Sequence, residues 1–331
     1  MGEEGVVIRP MAPGDVQGVR DLFQRSFGQA MPEAVWRWKY EQNPFGNGHN
    51  MVAVRGRRVV AHYGAYPVPM YDACDGRSLW AFHVGDIMTA SEVRAVGVGK
   101  RSVIARLARA FYDAMCRRRV AFNFGAPSWR HLKLGTLTMD YVPVGPVLQW
   151  TYPARTAPAR SRRWVPLYRR CRVTSGPVDA ETVEAFYGAT ARHLGLSLQR
   201  CRAYVQWRYG SHPLYAYGQW VVEDRKGWAA WGIVRRDGGE LLLGDVLCRP
   251  DAAWALDTLL GALQAFQPQS PVRLWASGQP PWWRQMLVQV GCAAQPHPLD
   301  IHTGLTLFDA AYDGSQHRQR WFYAMGDFDL F

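Results

Sequence analysis

The sequence predicts an α+β fold built as two tandem domains, and three observations carry that reading. The first 150 residues give the element order β–α–α–β–β–β–α–β–α–β from their hydrophobic periodicity and turn residues. The pattern W-[KR]-Y-x-x-[NH]-P occurs twice, at Trp38–Pro44 and at Trp207–Pro213. Each copy is followed by two strands, and then by a strand carrying Gly-Asp, Gly85-Asp86 in the first and Gly244-Asp245 in the second. An ordered repeat of this kind points to internal duplication. The length of 331 residues also exceeds one typical domain of about 100–200 residues.

Val6 to Arg9 is a short edge strand ended by Pro10, and Ala12–Asp15 is a turn that opens a helix. Val16, Val19, Leu22, Phe23 and Phe27 mark the apolar face of that helix. Glu33 to Glu41 is an aromatic-rich helix stopped at Asn43-Pro44. Strands at Met51 to Val54 and Val59 to Tyr66 flank the basic turn Arg55–Arg58, and Pro67-Val68-Pro69 breaks the second of them. Leu79 to Met88 is the next strand. The helix after it has Val103, Ile104, Leu107, Ala108, Phe111 and Met115 at helical spacing. Val120 to Phe124 is a strand, Ser128 caps a helix running to about Leu137, and Tyr141 to Trp150 returns as a strand. The segment 153–177 is rich in arginine and proline and reads as a basic linker.

The stretch between Met88 and Val103 holds the chemistry. Arg94, Gly97, Gly99, Lys100 and Arg101 lie in the turn, and the first turns of the following helix carry neither proline nor carboxylate. Unpaired N–H groups and the positive end of the helix dipole are therefore offered to an anion, and two glycines let it approach the backbone. A P-loop needs GxxxxGK[ST], but only GVGK stands here. A dinucleotide fingerprint needs GxGxxG, but Ser102 occupies the third position after Gly99.

The segment Arg94-Ala95-Val96-Gly97-Val98-Gly99, between strand and helix, resembles the acyl-CoA loop R-x-x-G-x-G of the GNAT acetyltransferase superfamily. Asp140–Gly145 stands where that family carries G-F-x-x-V-G, with Asp in place of the first Gly. The resemblance covers about residues 5–150 and implies a mixed, mostly antiparallel sheet flanked by helices in each domain. It implies acetyl-CoA or another acyl-CoA as co-substrate, with no metal. By position, the pantetheine would pair with backbone groups of Met88 and Thr89. The pyrophosphate would fall on N–H groups of Val96, Gly97, Val98, Gly99 and Lys100, with Arg94 and Arg101 beside it. The implied domains are 1–152, which binds acyl-CoA, and 178–331, a degenerate copy. After Val246-Leu247 the second copy reads Cys248-Arg249-Pro250-Asp251, with no glycine to wrap a pyrophosphate.

Direct transfer to an amine needs a base for the amine and an acid for the thiolate. The resemblance places a tyrosine acid on the helix after the fifth strand, and Ser128–Thr136 contains none. Ser128 and His131 are the candidates there, against roles as a helix cap and a surface histidine. Asp86 is a candidate base, against a role as a paired core carboxylate, and its recurrence as Asp245 favours the latter. The activity implied is N-acyl transfer to a small-molecule amine or amino-sugar. O-acyl transfer and a non-catalytic CoA-binding scaffold are the alternatives. The net charge of +12 suits an anionic partner such as CoA, although a GC-rich coding sequence also produces an arginine-rich chain. Nucleic acid ranks last as a partner, since no recognition motif accompanies the charge.

The six cysteines form no CxxC pair and no metal spacing with histidine, and no apolar run approaches the ~20 residues of a membrane span. The N-terminus has no apolar signal-peptide core, so a reducing, cytoplasmic setting is expected. The tail Trp321–Asp329, rich in aromatics and carrying two aspartates, is expected either to dock back into the chain or to close the second sheet as a final strand.

Overall fold

The computed structural model describes residues 5–154 and 171–331. In chain order the first elements are β1 (Val7–Pro10), α1 (Val16–Phe27), α2 (Glu33–Tyr40), β2 (His49–Arg55), β3 (Arg58–Asp72), β4 (Arg77–Thr89), α3 (Val103–Phe111), β5 (Phe122–Gly125), α4 (Trp129–Thr138), β6 (Val142–Pro146) and β7 (Leu148–Tyr152). Then come β8 (Arg172–Gly176), α5 (Ala180–Thr190), β9 (Leu196–Leu198), α6 (Arg202–Val205), β10 (Gly218–Asp224), β11 (Gly227–Asp237) and β12 (Glu240–Cys248). The last are α7 (Ala253–Phe266), β13 (Val272–Trp275), α8 (Pro281–Gln289), β14 (Ala293–Pro296), β15 (His302–Leu307), α9 (Gly314–Arg320) and β16 (Trp321–Phe322).

The chain forms two compact units. The first comprises Met1–Pro69, Leu79–Gly145 and Ile301–Ser315, and the second Met70–Ser78, Pro146–Asp300 and Gln316–Phe331. The sheet of the first unit has the order β1-β2-β3-β4-β5-β15-β6, and that of the second β14-β7-β13-β12-β11-β10-β8. Each is the mixed α+β sheet expected: β4/β5 and β12/β13 pair parallel, while β1/β2, β2/β3, β5/β15, β10/β11 and β11/β12 pair antiparallel. Parallel neighbours need a crossover, and α3 and α7 supply it.

Four details differ from the sequence expectations. Pro67 and Pro69 do not break β3, because the ladder with β2 ends at Ala65 and the prolines fall beyond it. The expected strand from Tyr141 to Trp150 is two strands, β6 and β7, that join different sheets. The sheet of the first unit takes β15 from the second half of the sequence, and that of the second unit takes β7 from the first half, so the units do not follow the expected boundaries at 152 and 178. Of the expected linker, residues 155–170 lie outside the described residues, and Arg172–Gly176 is an edge strand paired with β10.

The core of the first unit includes Trp36, Tyr63, Phe111 and Phe122, all nearly fully buried. Its helices end as their sequences dictate. Gly28, with φ of 74°, closes α1 in the left-handed conformation that costs glycine least. The Ser102 and Ser128 hydroxyls accept from backbone N–H groups at the starts of α3 and α4. Among the described residues no helix is long and apolar enough to cross a membrane.

Candidate active site

The site lies in the first unit, where β4 leaves β5. The two strands pair at Ala81 with Phe122, Phe82 with Asn123 and His83 with Phe124. β5 then ends at Gly125, while β4 runs on to Thr89. Val84 to Ile87 are accordingly half-buried, whereas Ala81, Phe82 and His83 are buried. The diverging strands leave main-chain groups of β4 without a strand partner on the β5 side.

β4 leads into the glycine turn. Its inward bonds run from the N–H groups of Val96 to the Val93 carbonyl, of Arg101 to Val98, and of Ser102 to Gly99. The turn is otherwise exposed from Arg94 to Arg101. Gly97 has φ of 74°, and a Cβ there would lie 2.3 Å from the Arg101 carbonyl oxygen. The turn closes on itself at that point and admits only glycine. Gly99 has φ of 58° but faces open space. The Arg109 guanidinium on α3 donates to the Lys100 carbonyl and ties the turn to the helix.

The predicted cradle residues are thus together, with two refinements. The Val96 N–H is already donated to Val93, so the exposed N–H surface is Gly97 to Lys100. Arg94 turns its Nε onto the Thr89 carbonyl at 3.0 Å, which places its guanidinium at the end of β4. Met88 is buried, and Thr89 is half-exposed at the mouth of the splay. Asp140 has φ of 57°, the left-handed region where the resembling pattern carries glycine and where aspartate is tolerated. Its carboxylate stands 4.0 Å from the Lys100 ammonium.

Asp86 is a paired carboxylate. It too has a positive φ, 54°, inside β4. Its Oδ2 accepts from Lys39 Nζ at 2.8 Å and from the Tyr40 hydroxyl at 2.6 Å, and its carbonyl lies 2.8 Å from His62 Nδ1. These bonds offset a backbone geometry that costs a non-glycine residue roughly 1–2 kcal/mol. Burial pushes the His62 imidazole below its ordinary pKa and keeps the ring neutral, with Nε2 3.0 Å from Asn50 Oδ1. His83 is buried against the rings of Tyr66 and Phe124.

Ser128 and His131 separate in role. Ser128 Oγ accepts from the His131 N–H at 3.5 Å as the cap of α4. His131 lies parallel to Tyr141 at 5.9 Å, its Nε2 is buried without a hydrogen-bond partner, and burial lowers its pKa. Sequence reasoning missed the hydroxyl cluster beside it. Tyr63 lies 3.2 Å from Tyr112 and 3.5 Å from Tyr141, oxygen to oxygen. Burial raises all three phenols, Tyr141 to about 12. No local pattern marks that cluster. The Lys39–Tyr40–Asp86 set did leave a signal, because its residues belong to the two repeated motifs. Cys116 sits at 3.4 Å from Asn123 Nδ2 with its thiol pushed up to about 12, which suits a buried hydrogen-bonded thiol rather than a nucleophile. Among the described residues no group of three or more His, Cys, Asp or Glu is placed to hold a metal ion.

Residues 7–132 match the family model described as an acetyltransferase (GNAT) domain. No curated protein matches the chain. Among solved structures, it is similar to a probable N-acyltransferase of unknown function from Enterococcus faecalis, with 12% identity, a TM-score of 0.65, and 92% of this chain and 73% of that one covered. A GCN5-related N-acetyltransferase from Kribbella flavida shares 16% identity with a TM-score of 0.61, covering 93% of this chain and 72% of that one. A putative acetyltransferase from Pyrococcus horikoshii shares 12% identity with a TM-score of 0.55, covering 93% and 91%. At these identities the likeness is one of fold, and it extends over nearly the whole chain. The family model covers the glycine turn and both diverging strands, so the match and the geometry of the site fall on the same stretch of the chain.

Proposed function

We propose that the first unit is an acyl-CoA-dependent N-acyltransferase, acetyl-CoA being the donor, that passes its acyl group directly to an amine of a small-molecule or sugar-like acceptor. The observation that carries this is the divergence of β4 from β5 beside a glycine turn that opens α3. Divergent strands leave main-chain amide groups for an extended amide-bearing arm, and the Gly97–Lys100 surface with Arg94 and Arg101 suits its phosphates. Gly97 supports the fit, since any side chain there would distort the turn. Asp86, held by Lys39 and Tyr40, positions the β4 backbone at its left-handed residue. Ser128, a candidate acid, caps α4, and Asp86, the candidate base, is held by Lys39 and Tyr40. His131, a candidate acid by sequence, is therefore the group here proposed to take the proton of the amine, its depressed pKa keeping the imidazole neutral.

The lack of a tyrosine on α4 favours a second reading, an acyl-CoA-binding protein without turnover. Thermal melting with and without acetyl-CoA, followed by turnover on a broad amine panel, tests both. A CoA-dependent rise in Tm that Gly97→Glu abolishes, together with turnover, is the expected result. A rise without turnover selects the second reading, and no rise in the wild type overturns both.

A further inference from the structure

The second unit repeats the strand divergence of the first. β12 and β13 pair parallel at only two positions, Leu241 with Val272 and Leu242 with Arg273, and β12 then continues to Cys248. Gly244-Asp245 stands here where Gly85-Asp86 stands in the first unit.

This wedge is filled by the chain itself. Ala324 forms an antiparallel bridge with Ala276, the residue after β13. On the other flank, a Cβ on Gly326 would lie 3.2 Å from the Gly244 carbonyl oxygen, and a Cβ on Gly244 would fall 1.9 Å from Cζ of Phe331. The segment therefore touches both diverging strands. Phe328 and Phe331 are almost fully buried.

The residues that hold it come from the repeated motif and from the stretch Arg200–Tyr204 just before it. In the first unit Lys39 pairs with Asp86. In the second, Arg200 takes over that pairing at 3.0 Å from Asp245 and also grips Asp327 at 2.7 Å. Arg208, the counterpart of Lys39, donates instead to the carbonyls of Gly326, Phe328 and Phe331 at 3.0, 2.9 and 2.8 Å. The Tyr204 hydroxyl adds a bond to the Gly326 carbonyl at 3.1 Å. Such forked donors replace, for a peptide, what strand pairing gives an extended amide chain.

We propose that the segment Ala324–Phe331 is a built-in ligand of the second unit, a peptide occupying the slot that corresponds to the acyl-CoA arm site of the first, so that the second unit is closed to acyl-CoA and the chain binds one per molecule. The correspondence rests on the acyl-CoA reading of the β4–β5 divergence, whereas the occupancy rests on the contacts within the second unit alone. A pantetheine arm and a peptide share extended geometry and amide donors and acceptors, so one wedge suits either. Gly326 lets the peptide lie flat against Gly244 and Tyr209.

Amide hydrogen exchange on the full chain and on a chain ending at Phe322 tests the occupancy. Exchange across Leu243–Cys248 is expected to rise at least tenfold on truncation and to return when a synthetic Ala324–Phe331 peptide is added, while a Gly326→Val peptide fails to restore it. Unchanged exchange, or equal rescue by both peptides, overturns the proposal. If the shortened chain does not fold, full-length Gly244→Ala serves. Its Cβ is expected to displace Phe331 and speed exchange across Gly326–Phe331 at least tenfold, and unchanged exchange there overturns the proposal. Titration with acetyl-CoA is expected to give one site per chain, and two sites overturn the closure. Failure of the acyl-CoA reading shows separately, as no acetyl-CoA binding with the tail effects intact.

Discussion

The Tyr40 hydroxyl donates to Asp86 Oδ2 across 2.6 Å, fastening α2 to β4 three residues before the strand ends at the glycine turn. The second unit repeats the bond from Tyr209 to Asp245 at 2.9 Å. Two sequence motifs, 46 residues apart in the first half and 36 in the second, thus meet as one contact that both halves share.

That contact sets the first expectation. Tyr40→Phe removes one bond to a buried carboxylate, worth about 1.5–3 kcal/mol. Lys39→Met leaves Asp86 without its cation and is expected to cost more, about 3–5 kcal/mol, while adding Asp86→Asn to it recovers part of the loss. Denaturant unfolding followed by tryptophan fluorescence measures all three variants. Equal losses for Tyr40→Phe and Lys39→Met would show that the ion pair contributes little.

The two glycines of the turn should behave differently. Gly97→Ala places a Cβ 2.3 Å from the Arg101 carbonyl oxygen and is expected to weaken acetyl-CoA binding at least tenfold. Gly99→Ala meets nothing within 4 Å and adds only the left-handed backbone penalty of about 1–2 kcal/mol. Isothermal titration of both variants decides the matter, and a larger loss from Gly99→Ala would contradict the described turn.

Ser128 and His131 can be told apart kinetically. His131→Ala is expected to lower kcat by about 100-fold or more with the KM for acetyl-CoA unchanged, as for loss of a general base. Because burial depresses the His131 pKa, the basic form persists below the ordinary histidine range, and the acidic limb of the kcat profile should lie below pH 6.5. Ser128→Ala removes a cap worth ~1 kcal/mol and should leave kcat within a few-fold. A large kcat loss in Ser128→Ala alone would reverse the assignment.

Acid should affect the two units in opposite directions. The folded pKa of His62 is depressed by burial, so the unfolded chain binds protons first as pH falls below about 6.5, and the first unit loses stability there. Asp327 is raised by burial to about 6, from 3.8, despite Arg200 beside it. Its contribution is fully present below about pH 3.8 and is lost as pH rises through about 6. Hydrogen exchange between pH 4 and 7, read separately on β4 and on Ala324–Phe331, measures both. His62→Gln should flatten the first trend and Asp327→Asn the second.

Much of the site was legible locally. Gly97 and Gly99 announce positive φ, Ser102 and Ser128 announce helix starts, and the apolar spacing of Val103 to Phe111 announces the helix behind the turn. Asp140 was read as a substitution in a glycine position, and its φ of 57° gives the reason it is tolerated. The hydroxyl cluster of Tyr63, Tyr112 and Tyr141 was not legible, because its members lie on three separate elements with no common spacing.

The sequence by itself determined most of the element order up to α4, the glycine turn and the repeated motif, since periodicity, capping and turn residues are properties of neighbouring residues. Tertiary structure alone decided which sheet receives β7 and which receives β15, because alternation says that a segment pairs but not with what. It also decided that Asp86 is held by Lys39 and Tyr40, and that Arg208 turns from the strand carboxylate to the backbone of Gly326, Phe328 and Phe331. A buried charge takes whichever partner the packing brings within hydrogen-bond reach, and that partner lies 46 or 47 residues away for Asp86 and some 120 for Arg208.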